Sequence, residues 1–165
     1  MGSERTSYIS GASDEPLLRE TLDERFNQTV ARWPDHEALV SCHQGIRWTW
    51  QQLKAKVDAL SCGLVELGFQ PGDRLAIWSP NNAEWVVTQF AAARAGLILV
   101  TLNPAYGASE LEFAINKTQC RGIIAASGFR SVNYFATLRE MMSLGAVPSL
   151  RVVIGIGPQF DFVHF

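Results

Sequence analysis

Four side chains beside two breaks in the sequence are of the types that line small-molecule clefts. Trp78 and Asn81 lie at the first break, SPNN, while Asn103 and Tyr106 lie in the second, NPAY. An Asn side chain both donates and accepts hydrogen bonds, and the rings of Trp and Tyr combine apolar surface with one polar atom. We therefore predict a ligand cleft lined by Trp78, Asn81, Asn103 and Tyr106. The sequence offers no acid–base pair or nucleophile beside them, so no catalytic residue is assigned.

The Asn residues and Pro104 also have a purely structural interpretation. Asn is favoured as a helix N-cap and in turns, and proline fixes the backbone where a strand ends. The sequence leaves the cleft and the structural roles both open.

Two apolar runs precede these breaks and predict neighbouring parallel strands. Residues 75–78 (LAIW) and 97–102 (LILVTL) flank a helical stretch at 83–95. Two strands joined through a helix by short connections form a βαβ unit, in which the strands are parallel. Both breaks then lie beyond the carboxyl ends of parallel strands, where open α/β sheets bind ligands. The nearly all-apolar second run further predicts a central strand buried on both faces.

Local signals predict the remaining elements. Capping boxes, in which a Ser or Thr and a Glu or Gln three residues later satisfy each other's backbone N–H, mark three helix starts. The pairs are Thr21 with Glu24, Thr49 with Gln52 and Ser109 with Glu112. Short strands at 38–40 and 46–48 predict a hairpin, and apolar runs at 122–126 and 152–156 predict further buried strands. The apolar positions of the helix at 83–95 are predicted to include Trp85, Val86, Phe90 and Ala93.

Alternating strands and helices predict an α/β fold, a mostly parallel sheet with βαβ crossovers. We expect a flexible leader over residues 1–18 and an α/β subdomain over 19–143. Residues 144–165 are expected to form a loop plus a possible last strand. The final stretch FDFVHF is rich in aromatic residues, which would expose apolar surface at a free terminus. This favours a truncated or divergent end.

Composition excludes several classes of protein. The chain has 165 residues, of which 14 are Lys or Arg and 16 are Asp or Glu, and no basic block is present. We therefore expect no nucleic-acid partner. No apolar stretch reaches the ~20 residues of a membrane span, so no transmembrane segment is predicted. Three widely spaced cysteines favour a reducing compartment, with the thiols buried as small hydrophobic groups.

The usual signatures of nucleotide and metal sites are missing from the sequence. Neither G-x-x-x-x-G-K-[ST] nor G-x-G-x-x-G occurs, and neither does a zinc-binding H-E-x-x-H or a G-x-S-x-G elbow. We therefore predict no metal site within this chain.

Five short strings nevertheless resemble a known family in their order and spacing. They are WTWQQL at 48–53, GDRLAI at 72–77, NNAEW at 81–85, AG at 95–96 and LNP at 102–104. Together they resemble the N-terminal portion of the adenylate-forming (AMP-binding) enzymes, among them acyl-CoA synthetases. The strings SYISG at 7–11 and NPAY are most similar to medium-chain acyl-CoA ligases.

The resemblance implies a chemistry and a fold. A fatty acyl-CoA ligase joins a fatty acid to AMP using ATP and Mg²⁺, releases pyrophosphate and then transfers the acyl group to CoA. The fold expected is a partial N-terminal subdomain of that enzyme fold. The compartment expected is the cytoplasm, with the mitochondrial matrix as the alternative; oligomeric state and acyl chain length stay open.

The departure from the family is equally informative. Its phosphate loop, its adenine and ribose motifs and its catalytic Lys have no match here, so we expect this chain alone to be inactive. Two other functions stay open: a short non-catalytic α/β binding or scaffold module, and a nucleotide-binding domain of flavodoxin type.

Overall fold

A computed structural model describes Gly11, residues 17–157 and the backbone of 162–164. Most of the predicted leader, including the first four residues of SYISG, lies outside these residues. The helices are α1 Leu22–Arg32, α2 Trp50–Glu66, α3 Ala83–Arg94, α4 Ala108–Thr118 and α5 Tyr134–Ser143. The strands are β1 Glu37–Ser41, β2 Ile46–Thr49, β3 Arg74–Trp78, β4 Ile98–Leu102, β5 Gly122–Ala125, β6 Gly128–Phe129, β7 Val132–Asn133, β8 Val152–Ile156 and β9 Phe162–His164.

The main sheet has the strand order β4-β3-β5-β8-β9. The first four strands are parallel and β9 pairs antiparallel with β8. The predicted α/β fold with βαβ crossovers is therefore confirmed. The predicted hairpin is also confirmed, since β1 and β2 pair antiparallel in a separate small sheet.

Helices cover both faces of the sheet. The residues of α1, α2 and α3 pack on one face with Leu75 and Ile124, whereas α4 and α5 cover the other face with Trp78 and Ile123. Because side chains alternate along a strand, neighbouring residues of β3 and β5 contribute to the two cores in turn. Within the described residues, no helix is long and apolar enough to cross a membrane.

Two of the three predicted capping boxes are confirmed, at Thr21 with Glu24 and at Thr49 with Gln52. The third is wrong, because α4 begins at Ala108. Gly107 is the N-cap, and its backbone N–H donates to the Glu110 carboxylate over 2.7 Å. A carboxylate three residues beyond the cap fits this role, so the helix starts before Ser109 and takes Ser109 into its first turn.

The prediction that 97–102 forms a central, doubly buried strand is wrong. Strand β4 lies at the edge of the sheet, and 54% of Ile98 is exposed. Apolar composition indicates burial, but it does not say where the crossovers place a strand in the sheet.

The most deeply buried positions of α3 differ from its predicted apolar positions, and the predicted burial of the cysteines needs correction. Trp85, Val86, Phe90 and Ala93 are only half-buried. Residues of another stripe of α3 are fully buried, namely Ala83, Glu84, Val87, Thr88, Ala91 and Ala92. Small side chains on that stripe let the helix approach its neighbours closely. All three cysteines are free, yet only Cys120 is buried.

Candidate active site at the carboxyl ends of the strands

The carboxyl ends of three neighbouring strands lie level with one another. Trp78, the last residue of β3, pairs with Leu102 of β4 on one side and with Ala125 of β5 on the other. The segments that follow these strands, 79–82 and 103–106, therefore begin at one edge of the sheet. This is the edge where the sequence predicted a ligand cleft.

Three of the four predicted cleft residues meet at the Asn103 carbonyl. The Trp78 indole Nε1–H donates to this oxygen over 3.1 Å, and the Tyr106 backbone N–H donates to it over 3.1 Å. The Asn103 side chain accepts from the Ala105 N–H over 2.9 Å, which closes a tight turn. The residues Asn103–Tyr106 are thus held in one shape by their own chain and by β3.

The predicted residues differ in how much of each is exposed. Trp78 is fully buried, so it supports the 103–106 turn from the core and is not itself exposed to a ligand in the described structure. Asn103 is exposed and Tyr106 is half-buried. Asn81 is exposed on the other segment, and no described contact joins it to the Asn103 carbonyl. Their role in binding a ligand stays a prediction.

Tyr134 belongs to this arrangement and was missed by the sequence analysis. Its ring stacks on the Trp78 indole with 3.5 Å between the ring centroids, and its hydroxyl donates to the Pro104 carbonyl over 2.6 Å. Burial raises the pKa of the Tyr134 hydroxyl, so this group stays neutral and keeps donating. The position of Tyr134 at the start of α5 was the only available signal, since nothing local links it to Pro104.

A second polar network holds the 79–82 segment and the start of α3. Asn82 caps the helix by accepting the Trp85 N–H over 2.9 Å, and its side-chain amide donates to Ser79 over 2.8 Å. Gln44, from the turn between β1 and β2, accepts the Ala83 N–H over 2.7 Å and donates to the Glu84 carboxylate over 3.0 Å. The hairpin turn is thereby attached to the loop that follows β3.

A groove opens beside the 103–106 turn between β4 and α4. Its volume is about 560 Å³, and Tyr106, Val100 and Phe113 contribute to its walls. Mostly apolar walls with a few polar groups are typical of small-molecule sites.

The described residues do not fit a metal ion. Among residues 17–157, no group of three or more His, Cys, Asp or Glu side chains is placed to hold one. Any Mg²⁺ used in a reaction would need ligands other than these.

A parallel sheet covered on both faces by helices, with turns held at the carboxyl ends of its strands, defines an α/β protein of the open-sheet class. A model of the family described as AMP-binding enzyme matches residues 26–160. Since this is more than half of the chain, the protein belongs to the AMP-binding enzyme family.

A curated relative, the medium-chain acyl-CoA ligase ACSF2, mitochondrial, of Rattus norvegicus is 44% identical over 135 residues. The match covers 82% of this chain but 22% of the relative, so this chain spans less than a quarter of that protein's length.

Solved structures of related proteins share the fold. The N-terminal domain of FACL13 from Mycobacterium tuberculosis superposes with a TM-score of 0.74 at 22% identity, covering 82% of this chain and 34% of that one. A putative long-chain-fatty-acid CoA ligase from Rhodopseudomonas palustris gives 0.69 at 27% identity, covering 84% and 33%.

Proposed function

We propose that this chain forms the N-terminal α/β part of a fatty acyl-CoA ligase. The observation that carries the proposal is the family match across residues 26–160 together with 44% identity to a medium-chain acyl-CoA ligase. The reaction has two steps. A carboxylate oxygen of the fatty acid bonds to the α-phosphorus of ATP and pyrophosphate leaves; the CoA sulfur then bonds to the acyl carbon, AMP leaves and the thiol proton is released.

The contribution of this chain is to shape one wall of the substrate site. Asn103 and Tyr106 lie on a turn that Trp78 and Tyr134 hold rigidly, and rigid placement of binding groups is what orients a substrate for attack. The groove beside Tyr106 offers apolar surface suited to part of an acyl chain.

Groups that stabilise the phosphates must come from outside the described residues. Transfer at phosphorus depends on cations and preorganised donors around the charge that develops. The described part of the chain offers no metal ligands, and the sequence has no phosphate loop. We therefore propose that this chain alone forms no acyl adenylate.

The compartment proposed is mitochondrial. The name of the rat relative assigns that protein to mitochondria. This favours the mitochondrial matrix, the alternative of the sequence analysis, over the cytoplasm.

ATP–pyrophosphate exchange with octanoate tests the proposal. The 165-residue chain should give no exchange above the blank. A hybrid ligase, in which residues 26–160 replace the matched segment of the rat relative, should exchange. A folded hybrid that binds ATP but gives no exchange would overturn the proposal.

Variants of the hybrid test the site itself. Tyr106→Ala should slow exchange about tenfold, equivalent to about 1.4 kcal/mol of transition-state stabilisation. Ser143→Ala, an exposed hydroxyl at the far end of α5, is the matched control and should leave exchange unchanged. Equal effects of both changes would remove Tyr106 from the site.

A further inference from the structure

The outer side of β4 presents unpaired backbone groups. The Ile98 N–H donates towards β3, to the Asp73 carbonyl, over 2.9 Å. Because successive residues of a strand direct their N–H and C=O groups to opposite sides, those of Leu99 and Thr101 point away from β3. Within the part of the chain that the structure describes, no strand pairs with this side of β4.

This edge carries none of the features that usually prevent edge pairing. The strand reads ILVTL, without a charge, a proline or a bulge, and it pairs in regular register with β3. The opposite side of the sheet differs, since β8 is covered by β9. Among the described residues, β4 is therefore the unpaired edge of the parallel part of the sheet, and β9 is the edge at the other end.

Apolar surface continues from this edge onto α4. Ile98 is 54% exposed and Phe113 is 69% exposed. The groove of about 560 Å³ beside Phe113 is lined by Val100 at the middle of β4 and by Phe113 at the middle of α4. A two-fold symmetry axis that relates two copies of the chain can therefore pass close to the centres of both β4 and α4.

We propose that β4 pairs with β4 of a second copy of this chain, antiparallel, across a two-fold axis at Val100. This register follows from the backbone N–H and C=O groups of Leu99 and Thr101, which point away from β3. Leu99 then lies opposite Thr101 of the second copy, and the two residues exchange N–H···O=C bonds in both directions. Val100 faces Val100 of the second copy as a pair without hydrogen bonds.

The same two-fold axis brings opposite charges of the two α4 helices together. Glu110 and Glu112 lie in the first half of the helix, Phe113 lies at its centre and Lys117 lies in its last turn. The two-fold axis brings two α4 helices side by side and antiparallel, with acidic halves facing the basic ends. The two exposed Phe113 rings then lie beside each other close to the axis. A self-complementary patch of this kind is what a two-fold interface requires.

Sedimentation equilibrium on the 165-residue chain at micromolar concentration tests the proposal. We expect a dimer for the unmodified chain and a monomer for Phe113→Asp. Leu144→Asp is the matched control, because Leu144 is 75% exposed on another surface, and it should leave the dimer intact. A monomeric unmodified chain would overturn the proposal, as would equal loss of the dimer in both variants.

Cross-linking tests the register without depending on a disruptive change. Opposed residues without hydrogen bonds have Cα atoms about 4.5 Å apart, within disulfide range. In a background with Cys42→Ser and Cys62→Ser, Val100→Cys should form a disulfide-linked dimer on mild oxidation. Leu99→Cys should not, because Leu99 lies opposite Thr101. A dimer in which Leu99→Cys links and Val100→Cys does not would contradict the pairing.

Discussion

The Tyr134 ring lies 3.5 Å from the Trp78 indole, centroid to centroid, with an angle of 10° between the ring planes. Both residues are fully buried, and each also bonds to the turn that follows β4: Trp78 to the Asn103 carbonyl and Tyr134 to the Pro104 carbonyl. The stack therefore joins β3, the 103–106 turn and α5 at the candidate site.

Removing only the Tyr134 hydroxyl should cost little, while removing the ring should cost much more. Tyr134→Phe deletes the bond to Pro104 and should lower the free energy of unfolding by about 1 kcal/mol. Tyr134→Ala also leaves a cavity against Trp78 and should lower it by about 3–5 kcal/mol. Urea unfolding of both variants measures the difference. Equal losses would show that the stack contributes nothing beyond the hydroxyl.

Arg94 joins three helices. Its guanidinium contacts Asp23 over 2.8 Å and Asn27 over 2.6 Å, both on α1, and forms an ion pair with Asp58 on α2. Because 16% of the Arg94 side chain is exposed, Arg94→Gln should cost about 1–3 kcal/mol of unfolding free energy.

An exposed arginine provides the control for this prediction. Arg25 pairs with Glu20 at 3.7 Å and is 57% exposed, so Arg25→Gln should change the unfolding free energy by less than about 0.5 kcal/mol. A loss at Arg25 as large as the loss at Arg94 would contradict the assignment.

Two glycines should respond to alanine in opposite ways. A Cβ at Gly122 would collide with the buried Phe69 ring, so Gly122→Ala should cost about 1–3 kcal/mol. Gly63 lies in α2 with open space around it, so Gly63→Ala should stabilise by about 0.5–1 kcal/mol. Thermal unfolding distinguishes the two signs, and a stabilised Gly122→Ala would refute the predicted collision.

Acid should destabilise the fold through Glu24 and Glu37. Hydrogen bonds from the Thr21 backbone and hydroxyl lower the pKa of Glu24, and the hydrogen bond from Arg47 lowers the pKa of Glu37. A lowered pKa means that the ionised form is favoured in the folded state. The stabilisation is therefore present above the ordinary value of 4.5 and is lost as pH falls through the lowered pKa.

The matching measurement is the free energy of unfolding as a function of pH. A glutamine side chain cannot ionise. Glu24→Gln and Glu37→Gln should therefore each reduce the loss of unfolding free energy that occurs below pH 4.5. A curve unchanged by both substitutions would exclude these carboxylates as a source of acid sensitivity.

Local signals in the sequence were enough to predict most of the fold. Thr21 with Glu24 and Thr49 with Gln52 act over a single helical turn, so their roles can be read directly. The position of β4 at the sheet edge depends instead on where the crossovers run, and the local sequence LILVTL does not determine this. The buried stripe of α3 was hard to single out from the sequence because the apolar residues of that helix lie on more than one of its sides.

The candidate site was predictable only in part, for the same reason. Breaks after apolar runs indicated the strand ends, and Trp78, Asn103 and Tyr106 do meet there. The contact of Tyr134 with Pro104 joins segments that are distant in sequence, so it exists only in the folded chain. Asn81 lies at the same edge of the sheet, but no described contact joins it to the Asn103 carbonyl.

The central claim is that residues 26–160 are the N-terminal part of a fatty acyl-CoA ligase. Its most direct test is octanoyl-CoA formation from octanoate, ATP and CoA by the hybrid that carries these residues in the rat relative. We predict octanoyl-CoA production by the hybrid and none by the 165-residue chain alone. A folded hybrid that yields no octanoyl-CoA, or product formed by the short chain itself, would contradict the account.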